Sequence, residues 1–369
     1  MKNKFKVFVG LSGGVDSAVS AALLKKQDYD VTGVFIKAWQ PFDSAQGTRR
    51  FPCGWKEDRR SAMRVAAVLD IPFLTLDLEK EYKKKVVDYM ITEYKAGRTP
   101  NPDVMCNKEI KFGHFLKFAL KNGADFIATG HYAIKNELRM MNYELCEGRD
   151  KNKDQSYFLW TLTQDQLKHI LFPIGNLQKQ EVRRLAKKFG LPQATRKDSQ
   201  GLCFLGEINV KEFLSHYIPQ RRGEVLNENG EVIGHHNGAL FFTIGERHGF
   251  NVIKKSNEEK PLYVISKDIK NNTITVASKI TPHKKSQRAS LTLRGVNIIN
   301  ELPNNNLTCR IRYRGEKIPC QLNKNKVTLS KLQTDISAGQ SLVIYLPVPR
   351  LRGQEAGQDE ICLGGGIIQ

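Results

Sequence analysis

The chain has 369 residues, 40% of them apolar and 26% charged, which indicates a soluble protein of about two or three folded domains. Its 58 Lys and Arg against 38 Asp and Glu give a formal net charge of +20, so a polyanion such as nucleic acid is the expected partner. The sequence has no apolar stretch long enough to cross a bilayer, and its seven scattered cysteines exclude a secreted disulfide framework. We therefore expect a cytoplasmic protein with reduced thiols and no membrane partner.

Strand-like and helix-like segments alternate along the first half of the chain. Strand patterns cover residues 5–11, 31–39, 73–78 and 125–133, and helix patterns cover residues 17–26, 58–69, 81–94, 108–120 and 176–189. Residues 42–51 have the composition of a mobile polar loop. The βαβ order predicts a doubly wound parallel sheet with helices on both faces, whose ligands bind beyond the carboxyl ends of the strands.

After residue 206 the pattern changes to short apolar runs separated by turn signals. The runs at residues 262–266, 273–277, 291–299, 327–329 and 342–346 are typical of β-strands. We predict an α/β protein with three domains: a catalytic domain at residues 1–206, a small mixed α/β domain at 207–283 and a C-terminal β-barrel at 284–369.

The turn after the first predicted strand has the sequence Ser12-Gly13-Gly14-Val15-Asp16-Ser17. Its glycines remove the Cβ atoms that would keep an anion from the backbone, and the first N–H groups of the following helix point at that anion. Ser12 and Ser17 add hydroxyl donors, and Asp16 is a candidate to hold a magnesium ion or to orient the loop. No Gly-Lys pair follows as in a Walker A motif. The run instead resembles the PP-loop of ATP pyrophosphatases, with an ordinary glycine-rich turn as the alternative.

Two loops that contain cysteine form the second and third motifs. They are Thr99-Pro100-Asn101-Pro102-Asp103-Val104-Met105-Cys106-Asn107 and Asp198-Ser199-Gln200-Gly201-Leu202-Cys203-Phe204. We expect the two prolines to stiffen the first loop and exclude helix there, and Cys106, at the start of a helix, to have a lowered pKa. Each cysteine alone is typical of a small buried side chain. Beside an ATP-splitting loop, two thiols favour sulfur chemistry in which one bears the sulfur and the other releases it through a disulfide.

In combination these motifs resemble the bacterial tRNA-specific 2-thiouridylases, the MnmA/TrmU family of the PP-loop superfamily. The matching runs are residues 96–103, 106–112, 128–132, 153–159, 199–203, 243–247, 312–314 and 363–368, which extend over essentially the whole chain. The resemblance implies a catalytic domain of the adenine nucleotide alpha hydrolase type and a C-terminal barrel that contacts tRNA. One departure is the connection at residues 346–360, which is longer than in the family, and its Arg350 and Arg352 suggest an additional RNA contact.

The resemblance implies roles for the matching positions. ATP would be bound by Gly10, Leu11, Ser12, Gly13, Gly14, Val15, Asp16 and Ser17, with the backbone of Ile36 and Gly130 near the adenosine. The target uridine would contact Asn101, Pro102 and Asp103, and Asp103 is also a candidate for proton transfer. Cys106 would be the nucleophile and Cys203 the persulfide carrier, and the two would form a transient disulfide. The other tRNA contacts would be His131, Lys153, Asp154, Gln155, Arg312, Tyr313 and Gln340.

The implied reaction is the ATP- and Mg²⁺-dependent thiolation of the wobble uridine in the anticodon stem-loop of tRNA. ATP would adenylate O2 of the uridine, and sulfur would then replace that oxygen, giving 2-thiouridine, AMP and pyrophosphate. The sulfur would arrive on Cys203 as a persulfide from a cysteine desulfurase or a sulfur-relay protein.

Several alternatives stay open from the sequence. Another PP-loop ligase, such as an amidotransferase of the GMP synthetase type, would not need the two cysteines, and an RNA-binding module could retain an inactive nucleotide fold. Arg312 and Tyr313 alternate along a predicted strand, so one of them can face the core, and His131 can be a hydrogen-bonded residue at a strand end. A labile iron–sulfur cluster is a further alternative, for which no third ligand is identified.

The remaining cysteines have the setting of structural residues. Cys146, Cys309 and Cys362 lie inside strand-like runs, and Cys320 follows a proline at a predicted strand start. Cys53 lies in a loop. Because no pair has the C-x-x-C spacing of a zinc site, we predict no structural zinc.

Overall fold

The computed structural model describes residues 4–41, 54–138, 142–196, 203, 209–253, 261–278, 288–303, 306–333, 336–347 and 360–369. The polar loop expected at residues 42–51 and the loop cysteine Cys53 lie outside these ranges. So do residues 348–359 of the long connection, with Arg350 and Arg352, and the chain neighbours of Cys203 on both sides.

Strands and helices account for most of the described chain. The strands, in chain order, are β1 Lys6–Gly10, β2 Asp30–Lys37, β3 Phe73–Asp77, β4 Phe126–Ala128, β5 Ala133–Glu137, β6 Tyr143–Glu147, β7 Ile170–Leu171, β8 Gly223–Leu226, β9 Val232–His236, β10 Phe250–Val252, β11 Tyr263–Asp268, β12 Thr273–Ala277, β13 Arg288–Ile298, β14 Leu307–Arg310, β15 Ile318–Asn323, β16 Lys326–Gln333, β17 Ser341–Leu346 and β18 Ile361–Ile368. The helices are α1 Val15–Lys26, α2 Gly54–Val68, α3 (consecutive segments Glu79–Tyr82, Lys83–Val87 and Asp88–Lys95), α4 (consecutive segments Pro102–Met105, Cys106–Phe115 and Leu116–Lys121), α5 Gln164–Leu167, α6 Lys179–Lys188 and α7 Val210–Ser215. The middle segments of α3 and α4 are π-helical, and short 3-10 turns cover Ser156–Phe158 and Ala239–Phe241.

Five parallel strands form the first sheet, in the order β3-β2-β1-β4-β7. Val7, Phe8 and Val9 of the central strand are at most 4% exposed, as expected for a parallel sheet covered on both faces. The strand order reverses at β1, which lies between β2 and β4, so the loops that follow β1 and β4 flank one crevice. The predicted doubly wound sheet is confirmed.

The C-terminal strands form a closed antiparallel barrel. They follow the order β13-β16-β15-β14-β17-β18, and the pairing of β13 with β18 closes the ring. Strand β18 also pairs with β6, so the hairpin β5–β6 extends this sheet from the first half of the chain. The predicted barrel is confirmed. The strand predicted at residues 125–133 is wrong in its second half, because Ala133 begins β5 in the barrel sheet and does not continue β4.

The middle of the chain forms a half-barrel. Its five strands follow the order β10-β9-β8-β12-β11, in which only the β12–β8 pair is parallel. Its core is formed by Val225, Phe242, Val264, Ile274 and Val276. This small, separate core agrees with the predicted mixed region between the sheet and the barrel, whereas the domain boundaries themselves stay predictions.

Helix α4 begins within the proline-containing loop. Asn101 Oδ1 accepts a hydrogen bond from the N–H of Val104 at 3.2 Å, and Pro102 occupies the first helical position, where a missing N–H costs nothing. The expectation that the prolines exclude helix is therefore wrong. Cys106 consequently lies one turn inside the helix, where it begins the π-helical segment.

A buried ion cluster joins α3 to the barrel. Glu93 is 4% exposed, and its carboxylate accepts hydrogen bonds at 2.8 Å from both Nε and Nη2 of Arg98. Arg294 of β13 also donates to this carboxylate. The Arg98 hydrogen bonds, followed by that from Arg294, outweigh the opposite effect of burial and hold the pKa of Glu93 below its ordinary 4.5.

Replacing Glu93 with Gln is expected to lower the free energy of unfolding by roughly 2 kcal/mol at neutral pH, because two guanidinium groups lose their counter-charge. A lowered folded-state pKa means that the carboxylate contributes stability above the unfolded value near 4.5 and loses it as the pH falls through the lower folded value. In urea denaturation, the difference in unfolding free energy between wild type and Glu93→Gln should therefore become smaller below about pH 4.5. Glu57→Gln is the control, since Glu57 pairs with arginines at the surface. A gap that stays constant with pH would contradict the role of the charge.

Candidate active site

The glycine-rich turn after β1 is held by its own hydrogen bonds. The N–H of Ser12 donates to Ser17 Oγ at 3.2 Å, and Ser17 Oγ donates to the carbonyl oxygen of Gly14 at 3.2 Å. Gly13 has a φ of +79°, and a Cβ there would lie 2.5 Å from the carbonyl oxygen of Asp58. Helix α1 begins after Gly14 without a side-chain cap, so its first N–H groups can bind an anion.

Side chains from distant parts of the chain form hydrogen bonds with the backbone of this turn. The carbonyl oxygen of Gly13 accepts hydrogen bonds from Ser61 Oγ at 3.1 Å and from Arg196 Nη1 at 2.9 Å. Arg196 also pairs with Asp58 at 2.5 Å, and Gln193 Nε2 donates to Ser61 Oγ at 2.9 Å. These supporting residues were not expected from the sequence, because nothing near them in the chain marks a contact with so distant a turn.

Asp16 is engaged by two neighbours. Lys179 Nζ lies 2.7 Å from Asp16 Oδ1 and 2.9 Å from Oδ2, and the hydroxyl of Tyr132 donates to Oδ1 at 2.8 Å. Of the two roles expected for Asp16, this arrangement favours orientation of the loop. A role in holding magnesium stays a prediction.

The two cysteines of the second and third motifs are in direct contact. Their Sγ atoms lie 3.3 Å apart, although the residues are 97 positions apart in the chain. The backbone N–H of Cys203 donates to Asp103 Oδ1 at 2.9 Å, and the hydroxyl of Tyr82 donates to the carbonyl oxygen of Cys203 at 2.6 Å. Cys203 is thus held against Cys106 by α3 and by the first turn of α4.

The two thiols differ in acidity. Burial raises the pKa of Cys106, which contradicts the expected lowering, because this residue lies inside α4 and not at its free N-terminus. The hydrogen bond from Cys106, aided by the charge of Lys111, lowers the pKa of Cys203 to about 7. Cys203 is also the more accessible of the two thiols, because Cys106 is 0% exposed and Cys203 is half-buried. Burial raises the pKa of Asp103.

The loop at residues 129–131 packs against the glycine-rich turn and also contacts Lys111 of α4. A Cβ on Gly130 would lie 2.7 Å from the backbone nitrogen of Ser17, so this residue packs directly against the turn. The next residue, His131, is buried, with its Nδ1 2.8 Å from Thr129 Oγ1 and its Nε2 3.4 Å from Lys111 Nζ. Burial, and then the charge of Lys111, lowers the pKa of His131 well below its ordinary 6.5, so the ring is neutral at pH 7.

The barrel holds the loop that precedes α4. The N–H of Thr99 donates to the carbonyl oxygen of Ala338 at 2.8 Å. Gln340 Nε2 donates to the carbonyl oxygens of Thr99 at 2.8 Å and of Pro100 at 3.3 Å. The side chain of Gln340 therefore orders the segment that leads to Asn101, while its predicted contact with tRNA stays a prediction.

Two segments predicted to contact tRNA meet beside the site. Arg312 and Tyr313 lie in the turn between β14 and β15, so their predicted alternation along a strand is wrong. The ring of Tyr313 packs on that of Phe158, with centroids 4.5 Å apart. Arg312, next to Tyr313 in the chain, is exposed, and Lys153 is half-buried.

Asp154 and Gln155 face inward. Asp154 is 2% exposed, and its Oδ1 accepts hydrogen bonds from the N–H groups of Gly148 at 2.9 Å and Ser156 at 3.1 Å. Gln155 Oε1 accepts a hydrogen bond from the N–H of Tyr132 at 3.0 Å. Both side chains order their own segment, and direct contact with tRNA stays a prediction.

Comparisons with known proteins identify the family. Three family models match in chain order: the tRNA methyl transferase HUP domain over residues 5–207, the tRNA methyl transferase PRC-barrel domain over 211–278 and the aminomethyltransferase beta-barrel domain over 265–368. The tRNA-specific 2-thiouridylase MnmA of Nitrosomonas europaea is 42% identical over 375 residues, which cover 99% of this chain and 98% of the relative. The protein of the same name from Francisella tularensis subsp. novicida is 42% identical over 377 residues and 100% of both chains. The chain belongs to the tRNA-specific 2-thiouridylase family.

The thiouridylase family agrees with the resemblance seen in the sequence. Among solved structures, a 4-thiouridine synthetase–RNA complex with bound ATP is 20% identical over 58% of this chain and 50% of that chain, with a TM-score of 0.33. A score that low supports no conclusion. The roles of single residues in this thiouridylase therefore rest on its own geometry.

The remaining predicted residues lie as follows in this thiouridylase. Ile36 is 5% exposed and lies near the carboxyl end of β2, two residues after Val34, which pairs with Gly10, so it is at the same edge of the sheet as the glycine-rich turn. Cys146, Cys309, Cys320 and Cys362 are buried strand residues, as expected. Within the described ranges, no group of three or more His, Cys, Asp or Glu could hold a metal ion. No helix in those ranges is long and apolar enough to span a membrane.

Proposed function

We propose that this chain activates O2 of the wobble uridine of tRNA with ATP and replaces that oxygen with sulfur from a persulfide on Cys203. Membership in the 2-thiouridylase family supports the class of reaction. The observation that supports it most directly is the 3.3 Å contact between the Cys106 and Cys203 sulfurs, which lie 97 positions apart in the chain. Neither an amidotransferase nor a binding module needs such a pair.

The turn after β1 would bind the phosphates of ATP. It offers the hydroxyls of Ser12 and Ser17 and the uncapped start of α1, and Gly130 leaves no side chain over Ser17. Uridine O2 attacks the α-phosphate and pyrophosphate leaves, so that O2 can later depart as AMP. Mg²⁺ bound with the phosphates would neutralise their charge. Both oxygens of Asp16 already accept hydrogen bonds, so an indirect role through water fits this residue better than direct coordination.

The sulfur step uses the more accessible thiol, Cys203, to receive the sulfur and the enclosed thiol, Cys106, to release the product. The Cys203 thiolate takes the terminal sulfur of a donor persulfide, and the donor thiolate leaves. The resulting persulfide anion attacks C2 of the adenylated uridine and AMP leaves, which gives a C2–S–S–Cys203 disulfide. The Cys106 thiolate then attacks Cys203 Sγ, forming the Cys106–Cys203 disulfide and releasing 2-thiouridine, whose N3 takes up a proton. Two electrons from an external thiol reduce the protein disulfide before the next cycle.

The partners follow from the same chemistry. The net charge of +20, with Arg312 and Lys153 beside the site, favours the anticodon stem-loop of tRNA as substrate. A cysteine desulfurase or a sulfur-relay protein would supply the persulfide. Free thiols at the site require a reducing compartment such as the cytoplasm. Asp103, next to Cys203, is the proposed group for proton transfer.

The reaction can be tested with purified protein, ATP, Mg²⁺, unmodified tRNA, cysteine and a cysteine desulfurase. We expect 2-thiouridine in the nucleosides by mass spectrometry, together with equal amounts of AMP and pyrophosphate. Product that forms only with an ammonia source would favour the amidotransferase. Tight tRNA binding without any use of ATP would favour the binding module.

A further inference from the structure

Lys111 is a half-buried cation on the same helix as Cys106. It lies in the π-helical segment of α4, five residues after Cys106. In an ordinary α-helix, residues five apart point about 140° away from each other. A π-helix closes its hydrogen bonds from residue i to residue i+5, so residues five apart stand one above the other on the same side. The wider helix thus places Lys111 on the same side of α4 as Cys106.

The contacts of Lys111 define its surroundings. Its Nζ lies 3.4 Å from His131 Nε2, and its charge acts on the sulfurs of Cys203 and Cys106, which lie 3.3 Å from each other. The neutral His131 can accept at Nε2 if its Nδ1–H donates to Thr129 Oγ1 at 2.8 Å. The neutral imidazole thereby orients the ammonium group without repelling its charge.

The surrounding charges favour an ammonium–thiolate pair. Burial by itself lowers the pKa of Lys111, and the sulfurs of Cys203 and Cys106 more than offset this effect. The Asp103 carboxyl group acts on Lys111 in the same direction, although its effect is smaller than that of the two sulfurs, and burial raises the pKa of Asp103 itself. Tyr82, whose hydroxyl donates to the carbonyl oxygen of Cys203, has a pKa raised well above 10.0 by burial and stays neutral. The natural counter-charge for the ammonium group is thus a sulfur anion.

We propose that Lys111 is a further catalytic residue, whose ammonium group binds the reacting sulfur of Cys203 and stabilises the anion on it. This inference rests on the proposed function and adds a residue to it. Lys111 acts when the Cys203 thiolate attacks a donor persulfide and again when the terminal sulfur of the Cys203 persulfide attacks uridine C2. In both steps a cation fixed beside the sulfur anion stabilises it with little reorganisation of solvent. The proton released by the Cys203 thiol goes to solvent or buffer, and no electrons are exchanged.

The test measures Cys203 itself and needs neither ATP nor tRNA. The full-length protein is alkylated with iodoacetamide from about pH 5 to pH 10, and the rate at Cys203 is followed by peptide mass spectrometry. Wild type is expected to show an inflection at about pH 7. Lys111→Met should move it upward by at least one unit, so that alkylation at pH 6 slows about tenfold or more. Lys117→Met, a matched loss of an exposed lysine on the same helix, should keep the wild-type profile.

Two more variants separate charge from packing. Lys111→Arg keeps the charge and should restore the inflection toward wild type. Lys111→Gln keeps hydrogen-bond donors without the charge and should shift as Lys111→Met does, which also covers the case that the Met variant does not fold. A wild-type profile in Lys111→Gln, or an Arg variant shifted as far as Met, would overturn the proposal. Failure of wild type to thiolate tRNA would instead refute the proposed function, and the alkylation result would stand apart from it.

Discussion

Cys203→Ala is expected to form no 2-thiouridine from sulfur supplied by a desulfurase, a loss of at least about three orders of magnitude in rate. Without the Cys203 sulfur, the remaining thiol at the site is Cys106, which is 0% exposed and out of reach of the donor's persulfide. Adenylation of the uridine uses the turn after β1 and should continue, so radiolabelled ATP should still yield pyrophosphate with tRNA present. The measurement combines nucleoside mass spectrometry with pyrophosphate release. Normal thiolation in this variant would refute the persulfide role of Cys203.

Cys106→Ala should fail at a later step, and this difference is the sharper test of the relay. Cys203 can still bring sulfur to uridine C2, but no second thiol is in place 3.3 Å away to release the product. A covalent adduct between protein and tRNA should then accumulate on non-reducing gels and disappear with reductant. Cys309→Ala is the control, because Cys309 is 0% exposed like Cys106 but lies in the barrel. The control should thiolate at the wild-type rate.

Gly13→Ala is expected to reduce ATP-dependent AMP formation by about two orders of magnitude or more. Its Cβ would lie 2.5 Å from the carbonyl oxygen of Asp58, so the turn must move away from α2. That movement also breaks the hydrogen bonds from Ser61 and Arg196 to the Gly13 carbonyl, which hold the turn in place. The phosphates would lose the aligned donors at the start of α1. Steady-state kinetics of AMP release with saturating tRNA measure the effect.

Gly123→Ala is a closely matched control for this prediction. Gly123 has a φ of +76°, against +79° for Gly13, but a Cβ there meets no atom within 4 Å. Both variants therefore place an alanine at a positive φ, which lowers the free energy of unfolding by about 1 kcal/mol, and only Gly13→Ala adds a clash. Gly123→Ala should lower the melting temperature slightly and leave AMP formation unchanged. Equal losses of activity in both variants would contradict the proposed role of the turn.

Prediction from the sequence succeeded where a feature is local. The glycine-rich turn follows from one strand, two glycines and the start of one helix, so a short run of residues was enough to predict it. The parallel strands β1–β3 and the barrel strands β13–β18 were likewise predictable from runs of a few apolar residues. The assignment of Pro102 to a stiff loop failed because the same residue is favourable at the first position of a helix.

Properties that depend on burial were not predictable in the same way. Cys106 was expected to have a lowered pKa as a residue at a helix start, but it is enclosed inside α4 and burial raises its pKa. The sequence did not indicate Lys111 as a residue of the site, because an ordinary α-helical period would place it on the side of the helix away from Cys106. The π-helical segment reverses that geometry, and no pattern in the sequence marks it.

The sequence by itself determined the class of this protein. Its motifs predicted a nucleotide-binding sheet followed by a barrel, and membership in the 2-thiouridylases, because each of these features depends on short contiguous runs of residues. Only the tertiary structure decided that Cys203 lies against Cys106, that Lys111 lies on the same side of its helix, and that the hairpin β5–β6 extends the barrel sheet. The physical reason is the same in each case. Distances through space and exclusion of water depend on residues far apart in the chain, and only the folded molecule brings those residues together.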